Sequence, residues 1–287
     1  MKFTSTLITG IAAMAIGHTS AQATMTLLTG PPIGTHVGNL VTNGSFENGP
    51  PGPPAPGSVV FWATGTTNTP LAVPNGWTSS GPPANYAMWG SDPGGPPWRL
   101  RFSDILADGQ RGMYFGNSGP ATSNLAPTFN ANGSVTFSGT PTLTAPTGAP
   151  VKLMQSVPTH LNPAPSYLLS FWTSGEDVNA GSPDGIFGLR VTNVLAGDPL
   201  QFFTVPSGLG ALGASHRYEF NLVPINPSLP IDVEFWNWGH FNLAPFGGAN
   251  FTTELVLDDM IVNKVPEPAS ICLLAAGSLL ALRRRRA

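Results

Sequence analysis

The chain has 287 residues, with 12 Lys and Arg, 15 Asp and Glu, five His and one Cys. Charged residues are only 9% of the total, while Gly (34) and Pro (31) are abundant. A lone cysteine excludes a disulfide framework, and a charge of −3 without a basic patch argues against a nucleic-acid binder. A surface built from Ser, Thr, Asn and Gly suits a turn-rich all-β domain better than a helical one.

The first residues read as an export signal. Lys2 supplies positive charge, Leu7 to Ile16 is a short apolar run, and Ala21-Gln22-Ala23 is a small-residue cleavage site. The run is too short to span a bilayer, so residues 1–23 are expected to direct the chain through the secretion translocon and then to be cleaved off. Residues 24–37 read as a linker and residues 38–264 as one domain. Between residues 24 and 265, seven positive charges stand against fourteen negative ones, a net charge near −7.

Within that domain no segment sustains a 3.6-residue apolar period. Short apolar runs recur between turn residues instead: Val59–Trp62, Gly112–Phe115, Val151–Val157, Tyr167–Thr173, Ile186–Val194, Gln201–Val205, Tyr218–Val223, Ile231–Trp238 and Thr253–Val262. Long loops are expected at Gly49–Gly57, Pro82–Pro97 and Gly116–Pro150, the last with room for a strand at Ser134–Ser138. This pattern predicts an all-β, two-sheet antiparallel β-sandwich of the jelly-roll type, preceded by a signal peptide and followed by a short apolar helix.

Strand parity selects candidate ligand residues. In Tyr167–Trp172 alternation puts Tyr167, Leu169 and Phe171 on one face and Trp172 on the other; the family resemblance given below implies that the first set is the core, which turns Trp172 outward. In Val233–Trp238 the core takes Val233 and Phe235, which turns Glu234, Trp236 and Trp238 outward. Flat aromatic faces stack on sugar rings, and a neighbouring acid binds hydroxyls, so these four residues are the candidate glycan surface. The loop bearing Tyr86, Trp89 and Trp98 is a rival platform, and packing beneath long loops is the competing fate for all of these rings. Catalytic patterns are missing. His36, His160, His216 and His240 fit no zinc spacing, no G-x-S-x-G elbow occurs, and Cys272 lies in the tail. A non-enzyme is therefore expected, with a secreted glycoside-active enzyme as a lesser alternative.

Five segments, in order, carry a family resemblance: Asn39-Leu40-Val41-Thr42-Asn43-Gly44-Ser45-Phe46-Glu47, Asn75-Gly76-Trp77, Gln155-Ser156-Val157, Tyr167-Leu168-Leu169-Ser170-Phe171 and Leu255-Val256-Leu257-Asp258-Asp259-Met260-Ile261-Val262. The layout resembles galactose-binding-like jelly rolls, a group that includes many carbohydrate-binding modules. The resemblance implies a structural Ca2+ where the two chain edges meet, with Glu47, the Ser45 carbonyl and Asp258 as ligands and Asp259 as the substitute. Calcium takes six to eight hard oxygens, which suits carboxylates brought from both edges.

The C-terminal region, residues 265–287, has three parts. Val265-Pro266-Glu267-Pro268-Ala269-Ser270 leads into an apolar run, Ala269–Leu282, followed by Arg283, Arg284, Arg285 and Arg286. Fourteen helical residues span about 21 Å, short of a roughly 30 Å hydrocarbon core. Snorkelling arginines cover part of the deficit and keep that end cytoplasmic. The three-part order resembles the PEP-CTERM sorting signal, in which the membrane enzyme exosortase recognises Pro266-Glu267-Pro268 and removes the helix. The resemblance implies an exported protein, held transiently in the inner membrane and then released to the cell surface or extracellular matrix. There it is expected to bind or organise polysaccharide, or to act as a structural matrix module without a specific ligand.

Overall fold

The computed structural model describes residues 23–30, 33–46, 76–80, 86–90, 112–116, 120–145, 149–176, 185–205, 216–241 and 254–265. Within them the strands, in chain order, are β1 (Thr24–Leu27), β2 (Thr78–Ser80), β3 (Tyr86–Gly90), β4 (Gly112–Gly116), β5 (Pro120–Ser123), β6 (Pro127–Phe129), β7 (Ser134–Phe137), β8 (Leu143–Thr144), β9 (Val151–Val157), β10 (Ser166–Glu176), β11 (Gly185–Val191), β12 (Gln201–Val205), β13 (His216–Val223), β14 (Ile231–Asn237), β15 (His240–Phe241) and β16 (Glu254–Val265). Six form one sheet in the order β1-β13-β10-β16-β4-β3, here sheet A. Seven form sheet B in the order β2-β9-β14-β11-β12-β7-β6, and β15-β5-β8 make a small third layer. Every pairing in sheets A and B is antiparallel; from β9 to β14 the chain alternates between the sheets, except that β11 and β12 are paired neighbours within sheet B. The fold is the antiparallel β-sandwich that the alternating pattern predicts.

Side-chain alternation builds the core. β9 turns Val151, Leu153, Gln155 and Val157 inward and leaves Lys152, Met154 and Ser156 outward. Sheet A contributes Tyr167, Leu169, Phe171, Tyr218, Phe220 and Leu222; sheet B contributes Phe187, Leu189, Val233 and Phe235. Phe171 is central, with the rings of Phe187, Tyr218, Phe220 and Phe235 at 4.9–6.2 Å. Each such side chain, fully buried, stabilises the fold by roughly 1.5–3 kcal/mol.

Three stretches depart from expectation. Gly116–Pro150, read as loop with room for one strand, also holds β5, β6 and β8. Pro82–Pro97 contains β3. Residues 24–37, read as a linker, hold β1 on the edge of sheet A, and Ile33 and Gly34 lie on the outer face of that sheet. These segments lack a clean apolar alternation because they pair at edges or cover outer faces. Val59–Trp62, the signal peptide and the tail beyond Val265 lie outside the described residues. Among the described residues no helix is long and apolar enough to cross a membrane.

The five resembling segments interlock. The Asn39 Oδ1 accepts the Val41 and Val262 N–H groups at 3.0 and 2.8 Å, and its Nδ2 donates to the Met260 carbonyl at 3.0 Å. The Gln155 amide clamps Thr42, accepting its N–H at 2.7 Å and donating to its carbonyl at 2.8 Å. The Trp77 Nε1 donates to the Asn43 carbonyl, and its ring lies 5.0 Å from Phe46. Opposite, β16 carries a bulge against β10 where Asp259 adopts φ 49°. Its inward residues consequently jump from Leu257 to Met260.

Candidate functional site

The outer face of sheet B carries three of the four expected glycan residues. Register puts Lys152, Trp236 and Gly188 in one row, and Met154, Glu234 and Arg190 in the next. Lys152 Nζ lies 3.7 Å from the centroid of the Trp236 ring, and Arg190 Cζ lies 5.4 Å from it. Such cation–π contacts contribute about 0.5–1 kcal/mol at exposed positions. The Glu234 carboxylate is buried and receives both prongs of Arg190, Nε at 2.9 Å and Nη2 at 2.6 Å. It also accepts the Trp236 Nε1–H at 3.0 Å. The same bond holds the Arg190 pKa above its ordinary value, since deprotonation would break a charge-assisted fork.

Trp238 takes the predicted face but is not exposed. It is 4% accessible and packs with Ala121, Val135, Ala145 and Ile186 beneath the small β15-β5-β8 layer. The room comes from Gly188, where an added Cβ would come within 2.8 Å of the Trp238 Cη2. The expectation of an open Trp236–Trp238 platform is thus corrected. One ring is half-buried, the other buried, and their centroids lie 5.8 Å apart.

Trp172 sits on the other side of the molecule. It lies on the outer face of sheet A, in register with Arg217 on one side and Asp258 on the other, and Arg217 Cζ is 5.8 Å from its ring. Two packed sheets about 10 Å apart separate it from Trp236, so the two tryptophans do not share a ligand. Beside Trp172, Glu219 accepts the Ile33 and Gly34 N–H groups and the Arg217 Nε–H at 2.9–3.2 Å. The side chains of Tyr86 and Trp89, and all of Trp98, lie outside the described residues.

The two chain edges do meet, at the Gly44 carbonyl, which accepts the Met260 N–H at 2.9 Å. Ser45 follows Gly44 directly, and Asp258 precedes Met260 by two residues. The Asp258 carboxylate is 1% exposed and its Oδ1 accepts the Asp259 N–H at 2.7 Å. A buried carboxylate and a backbone carbonyl are hard oxygen donors of the chemistry calcium prefers. Asp259, the substitute ligand, lies 3.1 Å from His36 Nε2 and 3.5 Å from Arg217 Nη1. A guanidinium at that distance makes it the poorer choice. Glu47 lies outside the described residues. Among the described residues no three His, Cys, Asp or Glu gather as a metal site.

Sequence reasoning singled out neither Lys152 nor Arg190. Lys152 is one of only two lysines between residues 24 and 265, and strand parity turns it outward. Pairing with Trp236 and Glu234 requires the register of three strands, which sequence alone does not supply.

Several solved structures are similar at low identity. The K1 cleaved adhesin domain of Lys-gingipain from Porphyromonas gingivalis W83 is 14% identical, with TM-score 0.37 over 69% of this chain and 95% of that one. The CBM22-2 xylan-binding domain of Xyn10C from Paenibacillus barcinonensis is 11% identical, with TM-score 0.32 over 67% of this chain and 92% of that one. The enzymatically active domain of tailspike protein 4 from bacteriophage CBA120 is 11% identical, with TM-score 0.35 over 67% of this chain. The chain spans 20% of that tailspike chain. No curated protein matches the chain. Residues 264–286 match the PEP-CTERM protein-sorting motif, so the chain carries the signal of an exosortase-sorted surface protein from the last two residues of β16 onward.

Proposed function

We propose that this protein is a non-catalytic surface or extracellular-matrix module that binds or organises polysaccharide through the outer face of sheet B, centred on Trp236. The observation that carries the reading is the bracing of that ring. Its Nε1–H is held by Glu234, and Glu234 is held by the Arg190 fork. A half-buried indole fixed in this way stacks on a sugar without losing further side-chain entropy, and the neighbouring polar groups meet hydroxyls. Trp172 is a separate and weaker candidate on the opposite face. Calcium is proposed where the chain edges meet, with Asp258, the Ser45 carbonyl and Glu47 as ligands.

A second reading, a structural matrix module with no specific ligand, draws on the contacts at the same ring. Lys152 sits over it at 3.7 Å and Trp238 packs beside it at 5.8 Å. A glycan array on the purified domain separates the two readings. The binding reading expects a signal that Trp236→Ala abolishes and Trp172→Ala leaves intact. A flat array with the folded parent domain sinks it, and release of reducing sugar from the bound glycan would sink the non-catalytic assignment.

A further inference from the structure

The strands of both sheets share one end. Val157, Val191, Val223 and Val265 finish there, and Ser166 and Ile231 begin there. The connecting loops are bound to one another. Asn193 Nδ2 donates to the Asn226 carbonyl at 2.8 Å, the Ile225 N–H donates to the Asn193 carbonyl at 2.7 Å, and the Thr159 hydroxyl donates to the Leu229 carbonyl at 3.3 Å. The Tyr167 hydroxyl accepts the Ala164 N–H and donates to the Asn162 carbonyl, each at 2.8 Å, which fixes the turn bearing Leu161. This end is therefore a firm surface.

It is also apolar. Among the described residues six large hydrophobic side chains are exposed, and five of them lie at this end or on its rim. They are Ile33, Val37 (87% exposed), Leu161 (69%), Ile225 and Leu229; the sixth, Phe129, is on the outermost strand of sheet B. A groove of about 440 Å³ opens beside them, lined by Val37, Leu40, Leu168, Lys264 and Val265. Soluble proteins seldom gather so much exposed apolar surface in one place without something to cover it.

The tail says what covers it. The chain leaves this end at Val265, and only Pro266, Glu267 and Pro268 separate it from the apolar run that starts at Ala269. Four residue steps reach at most about 14 Å. The headgroup layer on each side of a bilayer takes up roughly 5–8 Å of that. With the run in the membrane, the end of the sandwich lies against the lipid surface.

We propose that this end, through Val37, Leu161 and Ile225, rests on the lipid surface while the tail is attached, and so holds Pro266-Glu267-Pro268 at the interface where sorting occurs. The proposal depends on reading the tail as membrane-inserted. Charge at this end is mixed, with Lys264 set against Asp198 and Asp232. Lys264 is exposed beside the exit and suits anionic headgroups. Asp198 is turned onto the Asn193 N–H at 2.9 Å.

The test uses the full chain in protein-free vesicles of phosphatidylethanolamine and phosphatidylglycerol. In a Cys272→Ser background, single cysteines replace Val37, Leu161, Ile225 or His216, and each carries a polarity-sensitive fluorophore. His216 begins β13 at the far end of sheet A, about 24 Å along the strand from Val223. Native Cys272, labelled alone, reports whether the tail is inserted. The expected result is blue-shifted emission, quenched by shallow spin-labelled lipids, at 37, 161 and 225 but not at 216, with Cys272 quenched by deep ones. A water-like signal at all four domain positions, with Cys272 still deep, overturns the proposal and leaves the tail reading standing. A water-like Cys272 overturns both. A shift at 37, 161 and 225 that needs co-reconstituted exosortase overturns the lipid contact in favour of a protein one. The three positions are exposed, so the parent melting temperature is expected in every variant.

Discussion

At the residue scale, two positions carry consequences that composition does not reveal. Gly44 lies so close to β16 that an added Cβ would collide with the Met260 carbonyl oxygen. Backbone on both sides cannot yield as a flexible side chain can. Gly44→Ala is expected to destabilise the domain by about 3 kcal/mol or more, read as a fall in the urea midpoint. Gly30→Ala, which meets nothing within 4 Å, is the control and shifts stability by no more than about 0.5 kcal/mol. His216 offers a pH test. Its ring meets Tyr218 edge-on at 4.4 Å, and the lost hydration holds its pKa below 6.5. The unfolded chain then binds the proton more readily than the folded one. This contribution is complete above pH 6.5 and is lost as pH falls through the lowered folded value. His216→Gln is expected to flatten that part of the stability profile; an unchanged slope would show that another group titrates there.

At the scale of elements, the opening segment 39–46 and the closing strand β16 form a clasp. The Asn39 side chain makes three of its bonds and imitates a strand partner for Met260 and Val262. Asn39→Ala is expected to cost about 2–3 kcal/mol, because buried backbone groups lose their partner. Asn39→Asp keeps both acceptor bonds and loses only the donor to Met260, so it is expected to fall between Ala and the parent. Equal melting temperatures for the two variants would show that the side chain is not the clasp. This role explains why the Asn-Leu-Val-Thr-Asn-Gly-Ser-Phe segment is legible in the sequence at all. Asn39, Gly44 and Phe46 each do something that few other residues manage: a side chain that bonds like backbone, a missing Cβ, and a ring buried against Trp77. The edge strands β3, β6 and β8, and β5 of the small layer, carry no such demand, and their sequences blend into loop composition.

At the scale of the whole molecule, the sandwich is acidic but hides much of its charge. Glu219, Glu234, Asp258 and Asp259 are all buried, the first two held by arginines 217 and 190. An ion bound at Asp258 and Ser45 would tie the clasp shut. The calcium proposal therefore expects chelation to lower the melting temperature of the purified domain. A ligand at a hundred times its dissociation constant adds about 2.7 kcal/mol to folding. A melting temperature indifferent to chelator and to added calcium removes the ion from the account. The same scale joins sorting to shape, because β16 ends where the PEP-CTERM motif begins.

The sequence by itself determined the all-β class, the inward and outward faces of β10 and β14, and the sorting tail. Each depends on local order along the chain: a period of two, or a motif, an apolar run and an arginine cluster in succession. Only the tertiary structure decided which outward residues meet. Trp172 and Trp236 share parity, yet they stand on opposite sheets. Trp238 shares a face with Trp236, yet Gly188 and the β15-β5-β8 layer bury it. Parity assigns a side chain to a face, whereas strand order, register and what covers that face are set by contacts between residues far apart in the chain.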